Sequence, residues 1–179
     1  MKLLLLQFMV LGLAAVMTLA KPDASGVSIG NSNLADIIGS LATVSTGFLH
    51  LGDDKVLRSF DDDGIVLDFA LLSDAHIAEI ANGYSDHDRM HLYDVWNGVD
   101  NSKVGEGQIW NPPLHLLPRH LLNGQQLSGG TCDLPANEVL NPGVLCNHFN
   151  CENHESCVEV GCPSCILIDR KIEGRCRNW

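Results

Sequence analysis

Between Lys21 and Thr131 the chain has no cysteine, and after Ala20 no apolar run long enough to cross a bilayer. Basic residues are scarce, with 11 Lys and Arg set against 22 Asp and Glu. A field of that sign repels phosphate backbones and anionic lipid, so nucleic acid and membrane surfaces are disfavoured and not expected as partners, and a basic partner is favoured. There is no Asn-x-Ser/Thr sequon, so N-glycosylation is not required. Neither a Gly-x-Gly-x-x-Gly nor a Gly-x-x-x-x-Gly-Lys phosphate loop occurs, and the H-E-x-x-H of a zinc protease is missing. The sequence therefore excludes several enzyme classes and assigns none.

The first twenty residues carry one charge, Lys2, then an apolar run from Leu3 that closes on small residues at Thr18 and Ala20. That is the layout of a secretory signal cleaved after Ala20. A membrane anchor is the alternative, but the flank is Lys21 alone before Pro22, Asp23 and Ser25, not a basic cluster. The expected product is secreted and extracellular, with no membrane attachment once residues 1–20 are removed. It retains 10 basic against 22 acidic residues, a net charge of −12.

All seven cysteines, Cys132, Cys146, Cys151, Cys157, Cys162, Cys165 and Cys176, lie in the last 48 residues. A tail this short cannot bury enough apolar surface to fold without crosslinks, and export supplies the oxidising compartment in which they persist. Zinc is the rival reading. Cys162 and Cys165 form a C-x2-C knuckle, and His148, Cys151, His154 and Cys157 recur at three-residue steps. Behind a signal peptide, disulfides are expected among Cys146, Cys151, Cys157, Cys162, Cys165 and Cys176, with connectivity open. Cys132, 14 residues upstream, is the candidate free thiol or the bridge of a disulfide-linked dimer. His148 and His154 read as solvated loop histidines.

The pattern predicts an α+β fold: a small helix and hairpin body followed by a disulfide-rich, loop-dominated C-terminal module. Residues 21–33 read as a flexible arm, 34–110 as the cysteine-free body, 111–130 as a Pro/Gly linker or extended segment over the body, and 131–179 as the cysteine-rich module. Within the body, Leu34, Ile37, Ile38 and Leu41 mark a helical face over 34–44. Two β-prone runs, 55–60 and 65–70, flank Asp61-Asp62-Asp63-Gly64 as a hairpin, with Ile65, Leu67 and Phe69 turned to the core. Ser73 caps a helix burying Ile77, Ile80 and Ala81. Ser85 caps another, whose inner face carries Met90, Leu92, Val95 and Trp96 and which Gly98 stops.

These features together resemble a loosely defined group of small secreted cysteine-rich proteins of filamentous fungi. The carrying residues are the leader, Gly52-Asp53-Asp54-Lys55-Val56-Leu57-Arg58-Ser59-Phe60, Trp96-Asn97-Gly98-Val99-Asp100 and the C-x4-C-x5-C-x4-C-x2-C-x10-C run from Cys146 to Cys176. The resemblance implies an extracellular, disulfide-bonded, effector-like protein acting on hosts or competitors. It brings no catalytic residues.

Candidate chemistry is sparse. Read as an EF-hand, the Asp61–Gly64 turn would place Ser59, Asp61 and Asp63 as ligands but Ala70 where the bidentate Glu belongs, so a plain turn is expected. His87 and His91, four apart on a helix, are weak metal candidates. Asp68, Asp94, Asp100 and Glu106 offer carboxylates without a spacing that selects a pair. No cofactor and no catalytic residue is assigned. The preferred reading is a secreted, disulfide-stabilised interaction protein with an extracellular or cell-surface target. The alternative is a small secreted hydrolase with a His/Asp site between the body and the cysteine-rich module.

Overall fold

A computed structural model describes residues 32–122, 145–169 and 172–178. The leader, most of the arm, residues 123–130 of the expected linker and Cys132 lie outside the described residues. The fold is α+β: helices packed on a five-stranded sheet of order β3-β2-β1-β4-β5, with three disulfides in the C-terminal region. Helix α1 is Leu34–Ser40, followed by strands β1 (Phe48–Leu51), β2 (Val56–Phe60) and β3 (Val66–Leu71). Helices α2 (Asp74–Ala81), α3 (Asp86–Trp96), α4 (Glu106–Trp110) and α5 (Arg119–Leu122) follow. The cysteine-rich region supplies α6 (His154–Val158), β4 (Ser164–Ile168) and β5 (Arg175–Arg177).

Local chemistry sets the helix starts. The side chains of Ser73 and Ser85 accept the backbone N–H of His76 and Asp88, satisfying donors that the first turn leaves free. Helix α1 stops at Ser40, short of Val44. There the chain turns extended at Leu41 and Ala42 gives its N–H to Asp68 of β3, a bond that the helix would have prevented. Met90 is 62% exposed, contrary to the face expected for α3. It sits about 200° round the helix from Leu92, whose own stripe continues through Val95 to Trp96. The hairpin also changes face. The change is confined to its start, where Ile65 is exposed and Val66 buried because a register shift between Ser59 and Phe60 sets Phe60 opposite Val66, while Phe69 is partly buried edge-on against Trp110.

The sheet joins the cysteine-free and cysteine-rich parts of the chain. Strand β4 pairs in parallel with β1, Leu49 beside Ile166 and Leu51 beside Ile168. Both faces are covered. On one, Leu49, Leu51, Leu57, Ile166 and Ile168 pack beneath α1, α2 and α3. On the other, Phe48, Phe60 and Val66 lie under Trp110 of α4 and under Leu117 and Leu121 from the expected linker region, and Leu167 continues into the cysteine cluster. Full burial of this apolar set is the main favourable term in the fold.

One close approach fixes how the chain enters β1. A Cβ built on Gly47 would stand 2.2 Å from the Phe60 carbonyl oxygen, a backbone atom with little room to yield. The α6 region docks at this same loop, with His154 N–H on the Gly47 carbonyl and Glu155 N–H on that of Ser45. Gly47→Ala is expected to cost ~3 kcal/mol by overpacking, measurable as a lower urea midpoint. An unchanged midpoint would mean that the β1 entrance is not packed this way.

Candidate functional site

Parallel pairing places the carboxyl ends of β1 and β4 side by side, a position where loops meet and polar groups gather. Beyond β1 the chain turns through Gly52, Asp53, Asp54 and Lys55; beyond β4 it reaches Asp169. Among the described residues, Lys55 and Asp169 are the non-glycine residues in the left-handed region, with φ of 57° and 53°. Each such residue costs about 1 kcal/mol and needs surrounding contacts to hold it. Lys55 has them: its ammonium pairs with Asp74 at 2.9 Å, and its carbonyl accepts from Asn101. Asp169 accepts a hydrogen bond from His91 Nε2 of α3. The indole N–H of Trp96 closes on the Gly52 carbonyl at 3.2 Å.

Beneath these loops lies a buried charge pair. Arg58 is fully buried and donates to both carboxylate oxygens of Asp54, at 3.0 and 2.7 Å. Its Nε gives a third bond to the Ile109 carbonyl at 2.9 Å. Asp54 also accepts from Gln108 and from the Val56 N–H. Burial alone would raise the Asp54 pKa, but the Arg58 hydrogen bonds and charge, with Gln108 and Val56, hold it below the usual carboxylate range.

His50 lies beside Arg58 in the sheet, with Leu167 on its other side. Neither of its ring nitrogens has a hydrogen-bond partner among the described residues. Burial, then the Arg58 charge, lowers its pKa to about 3. His120 of α5, edge-on to Phe48 at 4.7 Å, is lowered by burial as well. His154 is buried too, a correction to its reading as a solvated loop residue. It sits in the first turn of α6 under the Gly47 loop and accepts the Cys165 N–H on Nδ1 at 3.0 Å. Burial lowers its pKa to about 4. His148 is exposed.

The six cysteines from Cys146 to Cys176 pair as Cys146–Cys162, Cys151–Cys165 and Cys157–Cys176. Among the described residues, the sulfurs of Cys151, Cys157 and Cys165 lie within 4.8 Å of one another, and all three are engaged in disulfides. His87 and His91 do not share a ligand position. The His87 side chain is 91% exposed beside Asp88, while His91 turns to Asp169. The Asp61 carboxylate accepts the Ile65 N–H at 2.7 Å and closes the hairpin, as a plain turn does. Asp68 ties Ala42, Asp100 caps its own turn on Ser102, and Asp94 and Glu106 stand exposed, so these four carboxylates do not converge.

Motif reading missed Asp54, Arg58, His50 and Asp169. Opposite charges at Asp54 and Arg58 were the available signal for the first two. It also passed over Gly26-Val27-Ser28-Ile29-Gly30, which has the letters of a Gly-x-Ser-x-Gly nucleophile turn and lies outside the described residues. As chemistry, the site offers an imidazole oriented by a carboxylate and partly open to solvent. Among the described residues no hydroxyl or thiol bonds His91.

The chain is 27% identical over 169 residues to a protein of Emericella nidulans named "Lactobacillus up-regulated protein", covering 92% of this chain and 93% of that one. No family model matches the chain, and no solved structure matches it.

Proposed function

We propose that the chain is an exported binding protein, produced in response to a neighbouring microbe, whose target is a basic extracellular polypeptide. The observation that carries this reading is the distribution of charge. Among the described residues, Lys55, Arg58, Arg89 and Lys103 are each paired with an aspartate of the same chain. Asp36, Asp62, Asp63, Glu79, Glu152 and Glu155 are exposed. The outward field is thus negative, which speeds encounter with a cation and opposes the polyanions of cell walls, nucleic acids and lipid. The relative's name, which ties that protein's level to Lactobacillus, supports the microbial setting. Export rests on the leader and on the disulfides.

The test is direct. Oxidised protein lacking residues 1–20 is incubated with cells and supernatant of a Lactobacillus culture at low and high salt. The reading expects saturable capture of a basic polypeptide that weakens several-fold as salt screens the field. Salt-insensitive capture of an acidic or apolar component would refute the charge argument.

The second reading, a small hydrolase, is favoured by one observation: His91 of the body and Asp169 of the cysteine-rich region form an oriented imidazole–carboxylate pair. It predicts that His91→Ala abolishes hydrolysis of the captured target while leaving capture intact. The binding reading predicts no hydrolysis by either protein.

A further inference from the structure

We propose that the cysteine cluster is a thiol-triggered switch, able to exchange two of its disulfides for two others and so release the α6 segment from the sheet. Cys165 and Cys176 face one another across the β4–β5 ladder, although they are not bonded to each other. The Cys165 N–H points away from β5 to His154, and the Cys176 N–H points away from β4 to the Phe149 carbonyl. They are therefore a non-hydrogen-bonded antiparallel pair, whose Cα atoms stand ~4.5 Å apart with side chains close. That spacing lies inside the ~4.4–6.8 Å window for a disulfide. The Cys157 sulfur lies within 4.8 Å of both sulfurs of Cys151–Cys165. Four sulfurs can pair in three ways; besides the observed set, the one that makes both bridges local is Cys151–Cys157 with Cys165–Cys176.

The exchange balances with a small monothiol of the glutathione class as catalyst. Its thiolate attacks Cys151, the most exposed of the six at 8%, forming a mixed disulfide and releasing the Cys165 thiolate. Cys165 attacks Cys176 across the ladder, making Cys165–Cys176 and releasing the Cys157 thiolate. Cys157 attacks Cys151, making Cys151–Cys157 and returning the small thiolate. Three disulfides are present before and after, and there is no net oxidation or reduction.

The consequence is topological. In the observed set, Cys151–Cys165 and Cys157–Cys176 bolt the 146–162 segment to β4 and β5. In the alternative set every bridge is local. Cys146–Cys162 and Cys151–Cys157 close inside the α6 segment, and Cys165–Cys176 closes inside the hairpin. With no covalent bolt, α6 is then held by hydrogen bonds such as those from His154 and Glu155 to the Gly47 loop and by the packing of Phe149 and Val160 with Leu167.

The test incubates oxidised protein lacking residues 1–20, and its Cys132→Ser variant, with mixed reduced and oxidised glutathione. Samples are alkylated over time and mapped by digestion and mass spectrometry. The expected result is a species of unchanged intact mass carrying linked Cys165–Cys176 and Cys151–Cys157 peptides, with Cys146–Cys162 retained and amide exchange faster over 146–162. A Cys157→Ala/Cys176→Ala variant should yield only the Cys151 adduct or the reduced Cys151/Cys165 pair. Simple reduction of the observed disulfides, or scrambling that draws in Cys146 and Cys162 equally, would overturn the proposal.

Discussion

Bringing the oxidised protein from pH 7 to pH 5 is expected to remove about 4 kcal/mol of unfolding free energy, a large fraction of the stability of a small domain. The loss comes from two buried imidazoles. His50 and His154 have native pKa values of about 3 and about 4, against 6.5 when unfolded. A depressed native pKa means that the unfolded chain takes up protons which the folded one refuses. Stability is then full above pH 6.5 and falls as the pH drops, until about 4 for His154 and about 3 for His50. At 1.36 kcal/mol per pH unit, each contributes ~2 kcal/mol by pH 5. His120, lowered by burial in the same direction, adds to the slope. Urea unfolding at pH 7, 6 and 5 checks this. His50→Leu, which swaps an unpartnered buried ring for an apolar group, should roughly halve the slope at little cost at pH 7. A flat profile from pH 7 to 5 would mean that neither ring is buried in the folded protein.

The second large effect is expected at the charge pair beneath the β1 turn. Arg58→Met should destabilise the protein by about 3–5 kcal/mol, since it leaves the Asp54 carboxylate buried without its cation. The Asp54→Asn/Arg58→Met double variant should recover a substantial part of that loss. Asn keeps an acceptor for the Val56 N–H and a partner for Gln108, and no buried charge remains. A double-mutant cycle from thermal or urea unfolding reads the coupling. If Arg58→Met alone costs under ~1 kcal/mol, the pair is solvated and the Ile109 and Gln108 contacts do not enclose it.

The parts of the fold that were legible in the sequence are those whose signals are local. Helices α2 and α3 carry a serine cap, an acidic first turn and apolar residues at helical spacing, all within a dozen residues. The β2–β3 hairpin carries its Asp/Gly turn. The rest depended on partners far along the chain. Strand β1 is four residues buried on both faces, so Phe48-Leu49-His50-Leu51 has no alternation to read, and His50 interrupts what apolar run there is. Strand β4 hides among cysteines and earns its place through β1, more than a hundred residues earlier in the chain. Short helical turns near Pro112, Pro113 and Pro118 are held by the sheet face beneath them, which composition does not encode.

The candidate site follows the same division. His91 stood out for its spacing from His87, yet its partner is Asp169, 78 residues away and visible only once β4 lies beside β1. Six cysteines announced a crosslinked tail, but spacing alone left their connectivity open. The bridges close loops of 14 to 19 residues. Each is worth ~3 kcal/mol in the chain-entropy model, enough to hold a segment whose own apolar core is slight.

Export as an oxidised protein, with the cysteine-rich region bolted into the sheet, is the part of the proposed function on which the rest depends. The most direct measurement is the intact mass and disulfide map of protein recovered from the medium of the producing cells. The expected species begins at Lys21, has Cys146–Cys162, Cys151–Cys165 and Cys157–Cys176 linked, and carries no bound metal. Protein retained in the cell with residues 1–20 attached, its thiols free and zinc bound among them, would contradict it.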